Sequence, residues 1–283
     1  MNAASKGEAF RAAQGCRALR DKPVTWQEEQ TFGAKLALDL AHRTGSRPIA
    51  DGGVAWEPSW LGLTAEETER VDRELNLLGK GLAAFSGRGH LPWVFGVLDV
   101  ERPLFFGAPG GFVFVSAGLL SRVENDAQLA MVLLLAITRV AERRDVAFFS
   151  RALEVECLAA AMTERASELL RSFGEPTTQL PAPLVRKVSD KFLELVLAST
   201  VATYEPELVD RAVETLAFAG YQPLDGARLL ETLKGGEAPW RYEGVTLAEE
   251  VRRATEALPA RSFHLTTPRS KAADLVFQKR PTR

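Results

Sequence analysis

The chain has 283 residues, of which 46% are hydrophobic and 25% are charged, a balance typical of a globular protein with a substantial core. Its formal net charge of -2 excludes a general electrostatic attraction to nucleic acid or to anionic membranes. No apolar run reaches the roughly 18 residues of a membrane-spanning helix. We therefore expect neither a nucleic-acid partner nor a membrane span.

The N-terminal part is predicted to be an arm followed by two capped helices. Residues 1–24 carry small and charged residues without a firm period, so we expect a flexible arm, with a short helix at Glu8–Leu19 as the alternative. Thr25 and Glu28 have the spacing of a capping box, which predicts the start of a helix that ends at Gly45. After a loop rich in Gly and Pro, the stretch Thr64–Glu67 predicts a second capped helix.

The middle of the chain combines strand and helix patterns. Residues 93–98 and 112–116 are predicted strands, which we expect to form a hairpin-like unit around the turn at Gly107–Gly111. The apolar stretch Glu124–Arg144 predicts a long central helix. Further helices are expected over Phe148–Ser172, Leu184–Ala202, Pro206–Ala219, Leu224–Leu233 and Leu247–Leu258. These elements indicate a mostly helical α+β fold with a small sheet.

The cysteine content favours a reducing compartment. Cys16 and Cys157 are too few for a disulfide framework, and Cys157 lies in a predicted helix among apolar residues. The segment before Cys16 is polar and lacks the apolar stretch of a secretory signal. We therefore expect two free thiols and a cytoplasmic protein.

The order of these elements resembles the HtpX/BepA-like zinc metallopeptidases. The stretch "RPLFFGAPGGFVFVSAGLLSRVENDAQLAMVLL" is similar to the family segment in which a Pro-Gly-Gly turn, an edge strand and Gly-Leu-Leu precede the active-site helix. The stretch "YEPELVDRAVETLAFAGYQP" is similar to the later family helix that ends in Ala-Gly-Tyr-x-Pro. The likeness extends from Gln27 to Leu275. It implies a zincin-like domain over residues 25–276, followed by a basic C-terminal tail at 277–283.

The same resemblance implies that the catalytic residues have been replaced. The family has HExxH on the central helix, where two His bind Zn²⁺ and the Glu is the general base, and a Glu of the later helix completes the site. Here Leu135, Ala136 and Arg139 stand at the three central-helix positions, and Leu208 stands at the fourth. None of these side chains supplies a zinc ligand. We therefore expect no metal, no cofactor and no zinc-protease activity.

Arg139 is a cation within an apolar helix and therefore requires a partner. Because the later helix packs on the central one in the family, the resemblance implies an ion pair of Arg139 with Asp210 or Glu207. Such a pair would join the two helices without zinc. Glu205, Glu207 and Asp210 are also the candidate acid–base residues, although a place near a helix N-terminus favours a structural interpretation.

The family binds its substrate as an extended chain along an edge strand. The corresponding strand is Phe112–Ser116, so we expect a peptide or protein segment to bind there. An adjoining cleft lined by Leu104, Phe105, Leu135 and Leu208 would suit apolar side chains, unless these residues collapse into a sealed core. The candidate peptide-binding residues are Leu104, Phe105, Gly111, Phe112, Val113, Phe114, Val115 and Arg139.

Three functions stay open. The first is a metal-free pseudo-peptidase that binds a peptide or protein without cleaving it. The second is a peptide-modifying or cyclising enzyme that reuses the groove with non-zinc chemistry, for which the candidate groups are Arg139, Tyr204, Glu205, Glu207, Asp210 and His264. The third is a structural subunit that forms a homodimer through exposed apolar helix faces. The sequence favours the first, since losing every catalytic group is simpler than gaining a new set.

Overall fold

The computed structural model describes residues 13–17, 23–44, 47–48, 54–55, 63–161, 187–188, 190–191, 205–233, 241–242 and 245–258. These residues are mostly helical and include a small mixed sheet, which confirms the α+β class. The helices are α1 (Trp26–Arg43), α2 (Ala65–Ala83), α3 (Ala117–Leu120), α4 (Asp126–Ala141), α5 (Arg144–Ala161), α6 (Pro206–Phe218), α7 (Pro223–Thr232) and α8 (Leu247–Glu256). The strands are β1 (Arg47–Pro48), β2 (Val54–Ala55), β3 (Val94–Leu98), β4 (Phe105–Ala108), β5 (Phe112–Ser116), β6 (Arg241–Tyr242) and β7 (Val245–Thr246).

Both predicted capping boxes are present. The backbone N–H of Glu28 donates to the Thr25 hydroxyl at 3.2 Å, and the backbone N–H of Thr25 donates to the Glu28 carboxylate at 2.9 Å. Thr64 and Glu67 form the same reciprocal pair at the start of α2. These contacts satisfy backbone donors that the first helical turn leaves without a partner, so they fix where α1 and α2 begin.

The sheet differs from the prediction in its strand order. Its order is β3-β5-β4, in which β5 runs parallel to β3 and antiparallel to β4. The predictions of a β3–β5 hairpin and of β5 as an edge strand were therefore wrong. In the chain, the short strand β4 lies between β3 and β5. In the sheet, β4 pairs with the edge of β5 that is opposite β3. As a result, β5 is the central strand and both of its edges are already hydrogen-bonded.

Helix α4 is the centre of the core. It is buried on nearly all sides, as expected for a helix that is apolar all round. Helices α2, α6 and α7 pack against it, and so do β4 and β5. Although α4 is so apolar, neither it nor any other described helix is long and apolar enough to cross a membrane.

The central helix is shorter than the predicted Glu124–Arg144. It ends at Ala141, and α5 begins at Arg144 after a sharp corner. Arg143 forms this corner with a φ of 57°, in the left-handed region that a continuing helix cannot use. The corner brings the start of α5 back towards the last turn of α4.

The two cysteines form a disulfide bond, so the prediction of two free thiols was wrong. Cys16 and Cys157 are separated by 141 residues in the chain, yet their Cα atoms lie 5.4 Å apart. Cys16 belongs to a helical stretch at 13–17, and Cys157 lies on α5. Only the tertiary fold brings these positions together.

Candidate functional site

The two α4 positions to which the resemblance assigns the first His and the general base lie inside the core. Leu135 and Ala136 are both fully buried, and both belong to the apolar cluster that surrounds α4. Val209, Ala212 and Val213 of α6 belong to the same cluster. The central part of α4 is therefore covered by apolar side chains of its neighbours.

Strand β4 closes over one face of α4. A Cβ atom placed on Gly107 would lie 2.4 Å from Cγ2 of Val140 and 2.8 Å from the carbonyl oxygen of Ala136. Only a glycine permits so close an approach of strand to helix. The backbone of Gly107 therefore packs directly against α4 at Ala136. The resemblance assigns the catalytic glutamate to this position.

Arg139 forms its ion pair with Asp145. Its Nε and Nη2 both lie 2.8 Å from Oδ1 of Asp145. The predicted pairing with Asp210 or Glu207 was therefore wrong. The physical reason is the corner at Arg143, which places the first turn of α5 beside the last turn of α4.

Asp145 is an almost fully buried carboxylate at the α4–α5 corner. Its side chain is 3% exposed, and Oδ2 has no hydrogen-bond partner among the described residues. Burial raises the pKa of Asp145, and the charge and hydrogen bonds of Arg139 oppose this rise without cancelling it. Arg139 thus compensates only part of the cost of burying Asp145.

The candidate acid–base carboxylates of α6 do not come together as a catalytic pair. Glu205 lies 2.8 Å from Nη2 of Arg144, and Asp210 lies 2.6 Å from Nη2 of Arg253. Hydrogen bonds to Glu250 and Asp210 raise the pKa of the Arg253 guanidinium. Glu207 is exposed. Tyr204 and His264 lie outside the described residues.

Leu208, to which the resemblance assigns the third zinc ligand, is buried but is not part of the cluster that contains Leu135. The four replaced positions therefore do not form one apolar cleft. Ion pairs instead connect the α4–α5 corner to α6. Arg211 pairs with Glu142, which is the residue that caps α4, and Arg144 pairs with Glu205. These ion pairs connect the two regions without the predicted Arg139.

Most of the predicted peptide-binding residues are inaccessible. Phe112 is half-buried, and Arg139 is 13% exposed and engaged with Asp145. The other members are buried, namely Leu104, Phe105, Gly111, Val113, Phe114 and Val115. The structure thus supports the sealed-core alternative over an open cleft at these residues.

Sequence reasoning missed a second buried carboxylate, Glu29 of α1. It is 1% exposed, and its oxygens lie 2.8 Å from Nη1 of Arg88 and 3.2 Å from Nε of Arg143. The backbone N–H of Gly110, in the Pro-Gly-Gly turn, also donates to Glu29. No local motif marks such a residue, because its partners come from three distant parts of the chain.

The described residues contain no group of three or more His, Cys, Asp or Glu side chains that could hold a metal ion. Comparison with known proteins found no family model and no curated protein that match this chain.

Proposed function

We propose that the protein is a metal-free relative of the HtpX/BepA-like peptidases that binds a peptide or protein segment without cleaving it. One observation carries this proposal. Leu135 and Ala136 are fully buried in an apolar core, while Arg139 is tied to Asp145. A core of this kind has neither the donor atoms nor the space for a zinc-bound water.

A peptide cannot add to β5 as a further strand, because β3 and β4 already pair with its two edges. The binding surface that we propose instead is the aromatic pair, which consists of Phe85 and Phe218. These side chains are 52% and 72% exposed, and their rings meet edge to face with centroids 5.5 Å apart. Exposed aromatic side chains that stand together are typical of protein-binding surfaces.

The aromatic pair is held in place by the ends of two helices that pack on the core. Phe218 is the last residue of α6, and Phe85 follows the end of α2. Both helices pack directly on α4, so the two rings are presented by rigid elements. Because the exposed surface of the pair is apolar, the partner that fits it is a segment with apolar or aromatic side chains.

A homodimer is the second candidate, and the same exposed rings favour it, since two copies could bury their pairs against each other. The non-zinc enzyme has less support. Its described carboxylates Glu205 and Asp210 are held by arginines, and Glu207 faces solvent.

Metal content and proteolysis test the first half of the proposal. The full chain is dialysed against zinc, freed of excess metal, and assayed on an unfolded protein substrate with and without a chelator. We expect no retained zinc and no cleavage. One equivalent of bound zinc, or cleavage that the chelator abolishes, would contradict a metal-free pseudo-peptidase.

Peptide binding tests the second half. A set of fluorescent peptides, half with aromatic and apolar residues and half with polar substitutes, is titrated against wild type, Phe85→Ser and Phe218→Ser. We expect the apolar peptides to bind and each variant to weaken binding about tenfold or more. Val155→Ser is the matched control, since Val155 is 59% exposed on α5. Equal binding by all variants would exclude this surface. Self-association that disappears in both Phe variants would favour the homodimer.

A further inference from the structure

The Cys16–Cys157 bond joins two segments that lie outside the apolar cluster around α4. The apolar cluster around α4 contains no residue of 13–17 and none of α5. Both cysteines are fully buried. Near Cys157, Glu156 forms an ion pair with Lys187 at 2.7 Å, and at the other end of α5 Asp145 pairs with Arg139. Val146 and Leu153 of α5 are also buried, so α5 packs outside that cluster, and the ion pairs and the covalent bond add to this packing.

We infer that the bond is a structural clamp, which forms in an oxidising compartment and holds the segment 13–17 against α5. Disulfides persist in secreted and periplasmic proteins and are rare in a reducing cytosol. A bond that closes a loop of 141 residues strongly restricts the unfolded chain, and burial slows the attack of reductants on both sulfurs. The expectation of a cytoplasmic protein depended on free thiols and on the lack of an apolar signal stretch, and this inference removes the first of these two supports. It does not depend on the proposed function.

The chemistry of the clamp is a thiol–disulfide exchange. The thiols of Cys16 and Cys157 lose two protons and two electrons as the bond between their sulfurs forms. The oxidant is a disulfide-carrying thiol oxidase, whose own disulfide is reduced to two thiols. The reverse reaction, with a dithiol reductant, opens the clamp and returns both cysteines to thiols.

Thiol trapping in the cells that make the protein tests the compartment. Intact cells are treated with a membrane-permeant alkylating agent, and the chain is then isolated under denaturing conditions for mass spectrometry. We expect Cys16 and Cys157 to carry no label until a reductant has been added. Labelling of both cysteines without reductant would overturn the inference.

Thermal melting tests the clamp in the purified full chain. We expect a dithiol reductant to lower the Tm of the oxidised protein by about 5–10 °C. Cys16→Ser and Cys157→Ser should each melt at that lower temperature and should not respond to the reductant. Val155→Ser is the control, because it changes α5 and leaves both cysteines, so it should retain the full response.

Limited digestion with trypsin shows which segment the clamp holds. Arg17 is exposed and follows Cys16 directly, so it becomes a better substrate when the segment 13–17 separates from α5. We expect reduction to accelerate cleavage at Arg17 several-fold, while sites within α4 stay protected. A reduced wild type with an unchanged Tm and unchanged cleavage at Arg17 would overturn the clamp.

Discussion

Glu29 and Asp145 are both almost fully buried carboxylates with arginine partners, yet their surroundings differ. Glu29 is contacted through both oxygens, by Arg88 and Arg143, and it accepts the backbone N–H of Gly110. Asp145 uses one oxygen for Arg139, and the other has no hydrogen-bond partner among the described residues. A buried charge is stabilising only when all its hydrogen-bonding capacity is used, so we expect the two sites to respond differently to substitution.

The two sites also differ in what they connect. Glu29 links α1 to the loop after α2, to the Pro-Gly-Gly turn and to the α4–α5 corner, where Arg143 also donates to the carbonyl of Val24. Asp145 links the start of α5 to the last turn of α4, six residues away in sequence. Loss of Glu29 therefore affects several elements at once, whereas loss of Asp145 affects one corner.

The largest effect is expected for Glu29→Gln. This change preserves the shape of the side chain and removes the charge, which leaves Arg88 with an uncompensated charge in a mostly buried position. We expect the free energy of unfolding to fall by about 3–5 kcal/mol, measured by urea denaturation at neutral pH.

Asp39→Asn is the matched control for Glu29→Gln. Asp39 also forms an ion pair on α1, with Lys35 at 2.6 Å, but both side chains are partly exposed. We expect its loss to change the free energy of unfolding by about 0.5 kcal/mol or less. Equal effects of the two substitutions would mean that neither the burial of Glu29 nor its contacts with several elements contributes to the free energy of unfolding.

An intermediate effect is expected for Arg139→Met. This variant leaves Asp145 buried without the cation that offsets its desolvation, so the free energy of unfolding should fall by about 2–3 kcal/mol at neutral pH. Adding Asp145→Leu removes the stranded carboxylate, and the double variant should recover most of this loss. A double-mutant cycle measures the coupling. A double variant that is less stable than Arg139→Met would contradict this account of the pair.

The sequence predicted those features that local chemistry determines. The capping boxes at Thr25 and Thr64, the apolar character of α4 and the two long strands were correctly placed, because each depends on neighbouring residues. The partner of Arg139 was not predicted. It depends on a helix break at Arg143, where no glycine or proline signals the left-handed backbone.

Features set by contacts between distant residues were missed for the same reason. The strand order β3-β5-β4 depends on which edge of β5 the short strand β4 occupies, and apolar strand residues do not encode that choice. The bond between Cys16 and Cys157 and the partners of Glu29 likewise require the tertiary fold. The family resemblance implied one shared site for four positions, whereas the structure places these positions in the core, at the α4–α5 corner and on α6.

Among the changes at the two buried sites, the smallest effect is expected for Asp145→Asn, and the pH dependence of this variant is the sharpest test of the difference from Glu29. Burial raises the pKa of Asp145 above its unfolded value of about 3.9. A carboxyl with a raised pKa binds its proton more tightly in the folded state. It therefore adds stability below the unfolded pKa, and this contribution is lost as pH rises through the folded pKa.

An asparagine at position 145 cannot ionise, so the variant lacks this pH-dependent term. We expect Asp145→Asn to lie within about 1 kcal/mol of wild type at pH 7, because the desolvation cost that disappears with the charge of Asp145 offsets the ion pair that Arg139 loses. Relative to the variant, wild type should gain stability as the pH falls from about 7 to about 4. Urea denaturation of both proteins across this range measures the difference. If wild type instead loses stability relative to the variant on acidification, the ionised form of Asp145 is favoured by folding. Arg139 would then compensate fully for the burial of Asp145.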